Sequence, residues 1–250
     1  MGIVPTIGRR SRWAPPAGAS LDWNHPLAAN LEFAVVPASA GTVPGVADAT
    51  GKTTVTRNGN MSVSASPTGS ALTIGSAGAY LYLGTLNSNG PLLAGGPVWT
   101  AVVNFAVPPG LAGEVVGYYE RDFSAQDIAK INIRVSSDTQ SRVQYRTPGG
   151  VITSCSADWA TPMCDGNFHQ LAAWKNGTTV GMARDGGKLP VSMPTTLTAG
   201  DVLTSTSMSR RAVESAPVNV AFEYSYGWSR QLSLAEIAAL YADPYCMFRG

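Results

Sequence analysis

Residues 217–228 alternate without a break. Val218, Val220, Phe222, Tyr224, Tyr226 and Trp228 share one parity, and Asn219, Ala221, Glu223, Ser225 and Gly227 share the other. Successive side chains of a strand point to opposite faces, so this stretch predicts a half-buried β-strand with one strongly aromatic face. It runs into a short amphipathic helix over 233–242. Ser233 followed three residues later by Glu236 is a capping box, in which hydroxyl and carboxylate each satisfy an orphaned backbone N–H at the helix start. Ile237, Leu240 and Tyr241 form the expected buried stripe. Pro244 stops the helix, because its ring offers no N–H and pushes the preceding residue out of the α region.

Composition agrees with a β-rich chain. Only 13% of the 250 residues are charged, against about 25% in an average soluble domain. The 27 glycines and 17 prolines imply many turns and few long helices. The length suits one large all-β domain. With 17 basic and 16 acidic side chains, the net charge of +1 supplies no general field for nucleic acid or an anionic membrane, and neither is expected as a partner. No apolar run reaches bilayer-spanning length. Met1-Gly2-Ile3-Val4-Pro5 lacks the positive segment and apolar run of a secretory signal, so synthesis without export is expected. Cys155, Cys164 and Cys246 form no CxxC pair. Cys155 and Cys164 have the spacing to bridge a loop in an oxidising compartment, but free thiols are the preferred reading.

Residues 1–30 read as an extended arm, with Pro5, Pro15, Pro16 and Pro26 punctuating Arg9, Arg10, Arg12 and Trp13. Such a segment buries too little apolar surface to offset its own ordering entropy, so order there would imply a partner. From residue 31 to 250 the chain reads as one domain of short strands: 31–36, 61–65, 71–74, 80–83, 98–107, 114–119, 130–135, 142–146, 168–175, 178–184 and 218–228. Their spacing is that of a sandwich. Asn58-Gly59, Asn89-Gly90 and Asn176-Gly177 mark tight turns, since both residue types tolerate positive φ, and the best hairpin centres on Asn176-Gly177. Trp99, Ala101, Val103, Phe105 and Val107 share a fully apolar face, which suits an inner strand whose other face is also partly covered.

Three stretches carry a family resemblance. One is Asp165-Gly166-Asn167-Phe168-His169-Gln170-Leu171-Ala172, continuing through Trp174-Lys175-Asn176-Gly177-Thr178 to Arg184-Asp185-Gly186. The second is the ending from Trp228 through Ser233 and Glu236 to Tyr241, and the third the entry Asp22-Trp23-Asn24-His25-Pro26-Leu27-Ala28. Together they resemble laminin G-like domains of the concanavalin A-like superfamily, and with the Arg/Pro/Trp arm they resemble such proteins of tailed bacteriophages. The resemblance spans roughly residues 22–249 and is weak between 42 and 60. It implies an all-β fold, a two-sheet antiparallel jelly-roll sandwich with an extended N-terminal arm and one short C-terminal helix. Fold is implied more firmly than function, because one sandwich hosts lectins, hydrolases and structural modules.

The candidate chemistry is sparse. Glycoside hydrolases of this superfamily set two or three carboxylates on one strand face. The nearest arrangement is Glu120-Arg121-Asp122, and the residues after it, Phe123, Ser124, Ala125 and Gln126, supply no third acid. A solvated strand end accounts for it. His25 and His169 have no Cys, Glu or second His at ligand spacing, and a hydrogen-bonded structural imidazole is the preferred reading of His169. Some laminin G-like domains bind calcium at a sandwich rim; Asp48, Asp165 and Asp185 are the loop acids available, and turn geometry explains each equally well. Tyr118, Tyr119, Tyr145 and Trp159 are potential sugar platforms, with burial in the core as the default for strand aromatics.

The chain is therefore expected to be non-enzymatic, without metal or cofactor. The phage resemblance implies a virion structural protein made in the host cytoplasm, with a capsid decoration protein as the expected role. Arg9, Arg10, Arg12 and Trp13 would dock it on the major capsid protein or another virion protein, with self-association a further option. The alternative is a carbohydrate-binding module that adheres to surface glycans.

Overall fold

The computed structural model describes residues 19–38, 45–52, 54–75, 79–83, 97–110, 115–122, 128–146, 152–194, 208–216 and 219–249. In chain order the strands are β1 (Ser20–Leu21), β2 (Leu31–Ala38), β3 (Gly45–Asp48), β4 (Val55–Asn58), β5 (Met61–Ser66), β6 (Gly69–Ile74), β7 (Ala79–Leu83), β8 (Val98–Ala106) and β9 (Val115–Asp122). They continue as β10 (Ile128–Ser137), β11 (Gln140–Arg146), β12 (Ile152–Asp158), β13 (Phe168–Asn176), β14 (Thr179–Arg184), β15 (Lys188–Pro194), β16 (Met208–Ala216), β17 (Ala221–Trp228) and β18 (Phe248–Arg249). One α-helix, α1 (Leu234–Ala242), lies among the described residues.

One sheet has the order β12-β11-β10-β9-β16-β7-β4. The other runs β15-β14-β13-β8-β17-β2-β3, and the β5–β6 hairpin joins it through β6, which pairs with the start of β17. All described pairings are antiparallel. The chain is a two-sheet sandwich of jelly-roll type. Its main core lies between the sheets: Phe33, Trp99, Val103, Phe105, Leu171 and Met182 from one side meet Leu81, Ile131, Ile133, Val143 and Cys155 from the other. Alternation in β8 works as the sequence implies. Trp99, Ala101, Val103 and Phe105 enter this core, while Val102 belongs to a second one on the opposite face.

That second core corrects the reading of β17. Val220 and Phe222 point into the main core, but Tyr224, Tyr226 and Trp228 point the other way, so the six alternating residues do not share a face. The cause is a register shift against β8: Phe222 pairs with Phe105 and Tyr224 with Asn104, leaving Glu223 as an extra residue. A β-bulge of this kind resets the parity of every later side chain. Nor is the strand half-buried. Glu223 and Ser225 are as inaccessible as the aromatics, and Gly227 lies against the Phe33 ring.

Helix α1 closes the second core. Ser233 is its N-cap, and the capping box with Glu236 is complete in both directions. Ile237 and Leu240 are buried as expected, whereas Tyr241 is 42% exposed and covers the turn at Gly186. Residues 20–28, expected to be part of an arm, pack on the sandwich. β1 pairs with β18, Leu27 and Ala28 are buried in a 3₁₀ turn, and the Trp228 indole N–H donates to the Leu27 carbonyl at 2.7 Å. His25 caps that turn through Nδ1. The β13–β14 hairpin also shifts by one residue, because Asn176 pairs with Thr179 and the two-residue loop is Gly177-Thr178, with Gly177 at φ 54°. Strands β3, β4, β12, β15 and β16 fall on stretches without a strand pattern.

Gly227 and Gly181 are positions of close approach: a Cβ at either would overlap the ring of Phe33 or Trp174. Gly227→Ala and Gly181→Ala are each expected to destabilise the fold by about 1–3 kcal/mol through overpacking. Denaturant unfolding of the two variants beside wild type checks this, and unchanged midpoints would refute the packing described.

Candidate functional site

Most residues singled out from the sequence do not assemble into a site. Arg9, Arg10, Arg12 and Trp13 lie outside the described residues, as do the side chains of Tyr118, Tyr119, Glu120, Asp122 and Tyr145. Trp159 is 4% exposed and donates its indole N–H to Ser141 Oγ at 2.6 Å. It is therefore core and offers no platform to a sugar. Asp48 is buried and accepts from the Ala34 and Thr50 amides and the Thr50 hydroxyl, which ties the β3 end to β2. Among the described residues no group of three or more His, Cys, Asp or Glu is set to hold a metal.

Three motif residues do converge. His169 lies between two carboxylates, with Nδ1 2.9 Å from Asp185 Oδ2 and Nε2 3.1 Å from Asp165 Oδ1. Arg184 closes the clamp, donating Nε–H to Asp185 and its terminal N–H groups to the carbonyls of Thr161 and Pro162. Burial acts to raise the Asp165 carboxyl, but hydrogen bonds from Asn167 and His169 outweigh it and hold it at about 2. Asp185 is likewise lowered despite burial, by His169, the Gln170 amide and Arg184. The imidazole is a structural tie between the β13 entry and the β14 end. A cavity of about 220 Å³ beside it is lined by Trp159, Thr161, Arg184 and Lys188 among others, but the Arg184 donors already face inward.

No activated nucleophile accompanies this clamp. Burial, with the negative charges of Asp138 and Asp165 nearby, pushes the Cys164 thiol up to about 11. Cys246 is likewise raised to about 11, by burial and then Asp243, and burial raises Cys155; none of the three forms a disulfide, and all are protonated at neutral pH. Glu223, the bulge residue, is fully buried, accepts from Asn104 Nδ2 at 3.0 Å, and has its carboxyl raised by burial. No substrate can reach it.

The open arrangement is a groove of about 450 Å³ on the second-core side of the larger sheet, lined by Trp174, Asn176, Thr179, Pro190, Gln231, Leu232, Ser233 and Leu234. Trp174 lies over Gly181 of the neighbouring strand, where only glycine leaves room for the ring. Asn176 ends β13, and its Nδ2 donates to Gln231 Oε1 at 2.6 Å, a contact across 55 residues. The segment carrying Gln231 is fixed on both sides. Thr100 Oγ1 donates to the Arg230 carbonyl and accepts from the Leu232 amide, both at 2.9 Å. Arg230 donates to the carbonyls of Ala29 and Pro26 and pairs with Glu236 at 2.8 Å. The amide pair thus sits on a preorganised frame. Sequence reasoning read Asn176 only as a turn former and gave Gln231 no role; the hairpin signal fixed the first, but nothing local marks their meeting.

No protein-family model matches the chain, and no curated protein sequence matches it. Solved structures do share its fold. The binding domain of Paraclostridial Mosquitocidal Protein 1 superposes with a TM-score of 0.67 at 13% identity, covering 86% of this chain and 52% of that one. The binding domain of botulinum neurotoxin DC in complex with rat synaptotagmin II gives 0.64 at 9% identity, covering 85% and 51%. The same domain in complex with SialylT gives 0.61 at 9% identity, again covering 85% and 51%. The chain spans about half the length of these neighbours. At these identities the likeness is one of fold.

Two pH effects follow. Asp165 and Asp185 have lowered values in the fold, so the stability they contribute is complete above about pH 4 and is lost as pH falls through those lowered values, about 2 for Asp165. Asp185→Asn is expected to flatten the acid limb of the stability curve in that window. Glu223 has the opposite sign. Its raised value means its contribution is present in acid and lost as pH rises through the folded-state value. Glu223→Gln is expected to raise the melting temperature at pH 7, with the gain vanishing below about pH 4 as the native carboxyl becomes protonated. Thermal melts across pH measure both, and a destabilised Glu223→Gln at pH 7 would contradict the burial argument.

Proposed function

We propose that this chain is a non-catalytic recognition module whose ligand is a glycan on a surface. The observation that carries the reading is the groove at Asn176 and Gln231, where exposed amide groups stand beside the exposed Pro190 and Leu234 on a rigid frame floored by the buried Trp174. Sugars present hydroxyls to amides and C–H faces to apolar and aromatic side chains, and a mixed lining of this kind serves both. Support also comes from the fold neighbours, whose names describe binding domains, one of them in complex with SialylT.

A second reading is attachment to a phage particle, with the arm residues Arg9, Arg10, Arg12 and Trp13 docking on a virion protein. The entry from Asp22 to Ala28 and the ending from Trp228 to Tyr241, which resemble phage-encoded laminin G-like proteins, favour it. The two are compatible, since a displayed module can be held by its arm and bind through its groove.

A glycan array probed with the labelled chain tests the first reading. Hits that weaken at least about tenfold in Asn176→Ala are expected for the loss of a hydrogen-bonding group at the site. An array with no hits removes it. Removal of residues 1–18 with unchanged adsorption to particles would remove the arm as an anchor.

A further inference from the structure

The groove has a chemical bias that goes further than glycan binding in general. None of its lining side chains is ionisable. Of the charged residues next in sequence to the lining, Arg230 pairs with Glu236, and the Lys175 ammonium is buried and donates to the Pro97 carbonyl; the Ser233 hydroxyl is held in the capping box. A carboxylate or phosphate entering such a site would shed water without meeting a cation, which is unfavourable. An uncharged ligand meets no such obstacle.

The amide pair narrows the ligand further. Each amide carries one acceptor oxygen and one NH₂ group. The Asn176–Gln231 bond uses Asn176 Nδ2 and Gln231 Oε1, and no other described residue engages Asn176 Oδ1 or Gln231 Nε2. Exchanging the oxygen and nitrogen of both amides leaves the same result with the residues swapped. The pair therefore always presents one free acceptor beside one free NH₂ donor. Two hydroxyls on adjacent ring carbons offer the complement, one donating and the other accepting. Thr179, whose hydroxyl has no partner among the described residues, adds a third polar contact at the rim. Pro190 and Leu234, both exposed, supply the apolar surface for the C–H face of the ring, above the buried Trp174.

We infer that the groove selects a neutral pyranose, gripping a vicinal diol between Asn176 Oδ1 and Gln231 Nε2 while the sugar ring rests on the exposed Pro190 and Leu234 side chains. This rests on the reading of the chain as a glycan-binding module.

Calorimetric titration of the full chain with methyl glucoside, galactoside and mannoside, their monodeoxy analogues, lactose and sialyllactose separates the outcomes. The inference predicts binding of at least one neutral pyranoside and at least about a tenfold loss when either hydroxyl of the gripped pair is removed. It predicts a similar loss in Asn176→Ala and in Gln231→Ala, both exposed positions whose variants should melt like wild type. Sialyllactose should bind no more tightly than lactose. Binding of sialyllactose alone would overturn the neutral groove and leave the glycan module standing. Neutral binding that survives the double variant would place the site elsewhere and overturn the assignment. Binding of none of these sugars, together with an empty array, would overturn both.

Discussion

The structure depends on one extra residue in β17. Because Glu223 bulges out of register with β8, the strand buries Phe222 between the sheets and then turns Tyr224, Tyr226 and Trp228 to the outside of the same sheet. Three large aromatics exposed there would cost several kcal/mol of unburied apolar surface. They are covered instead by Ile237 and Leu240 of α1 and by Leu21, Leu27, Tyr245, Met247 and Phe248 from the segments flanking the sandwich. Specific polar contacts fix the cover in place: Tyr226 donates to the Pro244 carbonyl and Trp228 to the Leu27 carbonyl. The bulge itself needs a partner for its buried side chain, and Asn104 provides it.

The groove follows from this second core. Helix α1 must approach the outer face to reach the aromatics, and its entry segment, held by Thr100 and Arg230, brings Gln231 to the end of β13. The buried Trp174, packed against Gly181, lies beneath them. The distribution of polar groups then bears on function. Among the described side chains, the loop acids and the histidine that look metal-binding or catalytic in the sequence are occupied by the fold, with Asp165, His169, Asp185 and Arg184 in one clamp and Asp48 in a turn. Uncharged amides are what remains free at the open groove.

The sequence shows the sandwich where the rules of alternation hold without interruption. β8 and β13 carry unbroken apolar faces and were legible, as was α1, whose capping box is local and complete. In β17 the alternation is just as regular, and it misleads, because a bulge changes which face a residue takes without changing the sequence parity. Other strands are hidden for compositional reasons. Among its described side chains β12 faces the main core with Cys155 and Ala157, β15 is an edge strand bearing Pro190 and Pro194, and β16 contains consecutive arginines. The motif from Asp165 to Gly186 was visible as a family pattern, yet its role as a clamp emerged only when Asp165, His169 and Asp185 met in space. Asn176 and Gln231 are 55 residues apart, so no local signal joins them.

Nuclear Overhauser contacts of the β17 aromatics test the two-core arrangement most directly, since they report which face each ring takes. The account predicts contacts from the Tyr224 ring to Tyr245, whose centroid is 6.4 Å away, and from the Trp228 indole N–H to Leu27, with Phe222 contacting Phe105 and other main-core side chains. Contacts placing Tyr224 and Tyr226 among Phe33, Phe105 and Ile133 would mean that the strand keeps one face throughout, and would contradict the bulge, the second core and the groove built on it.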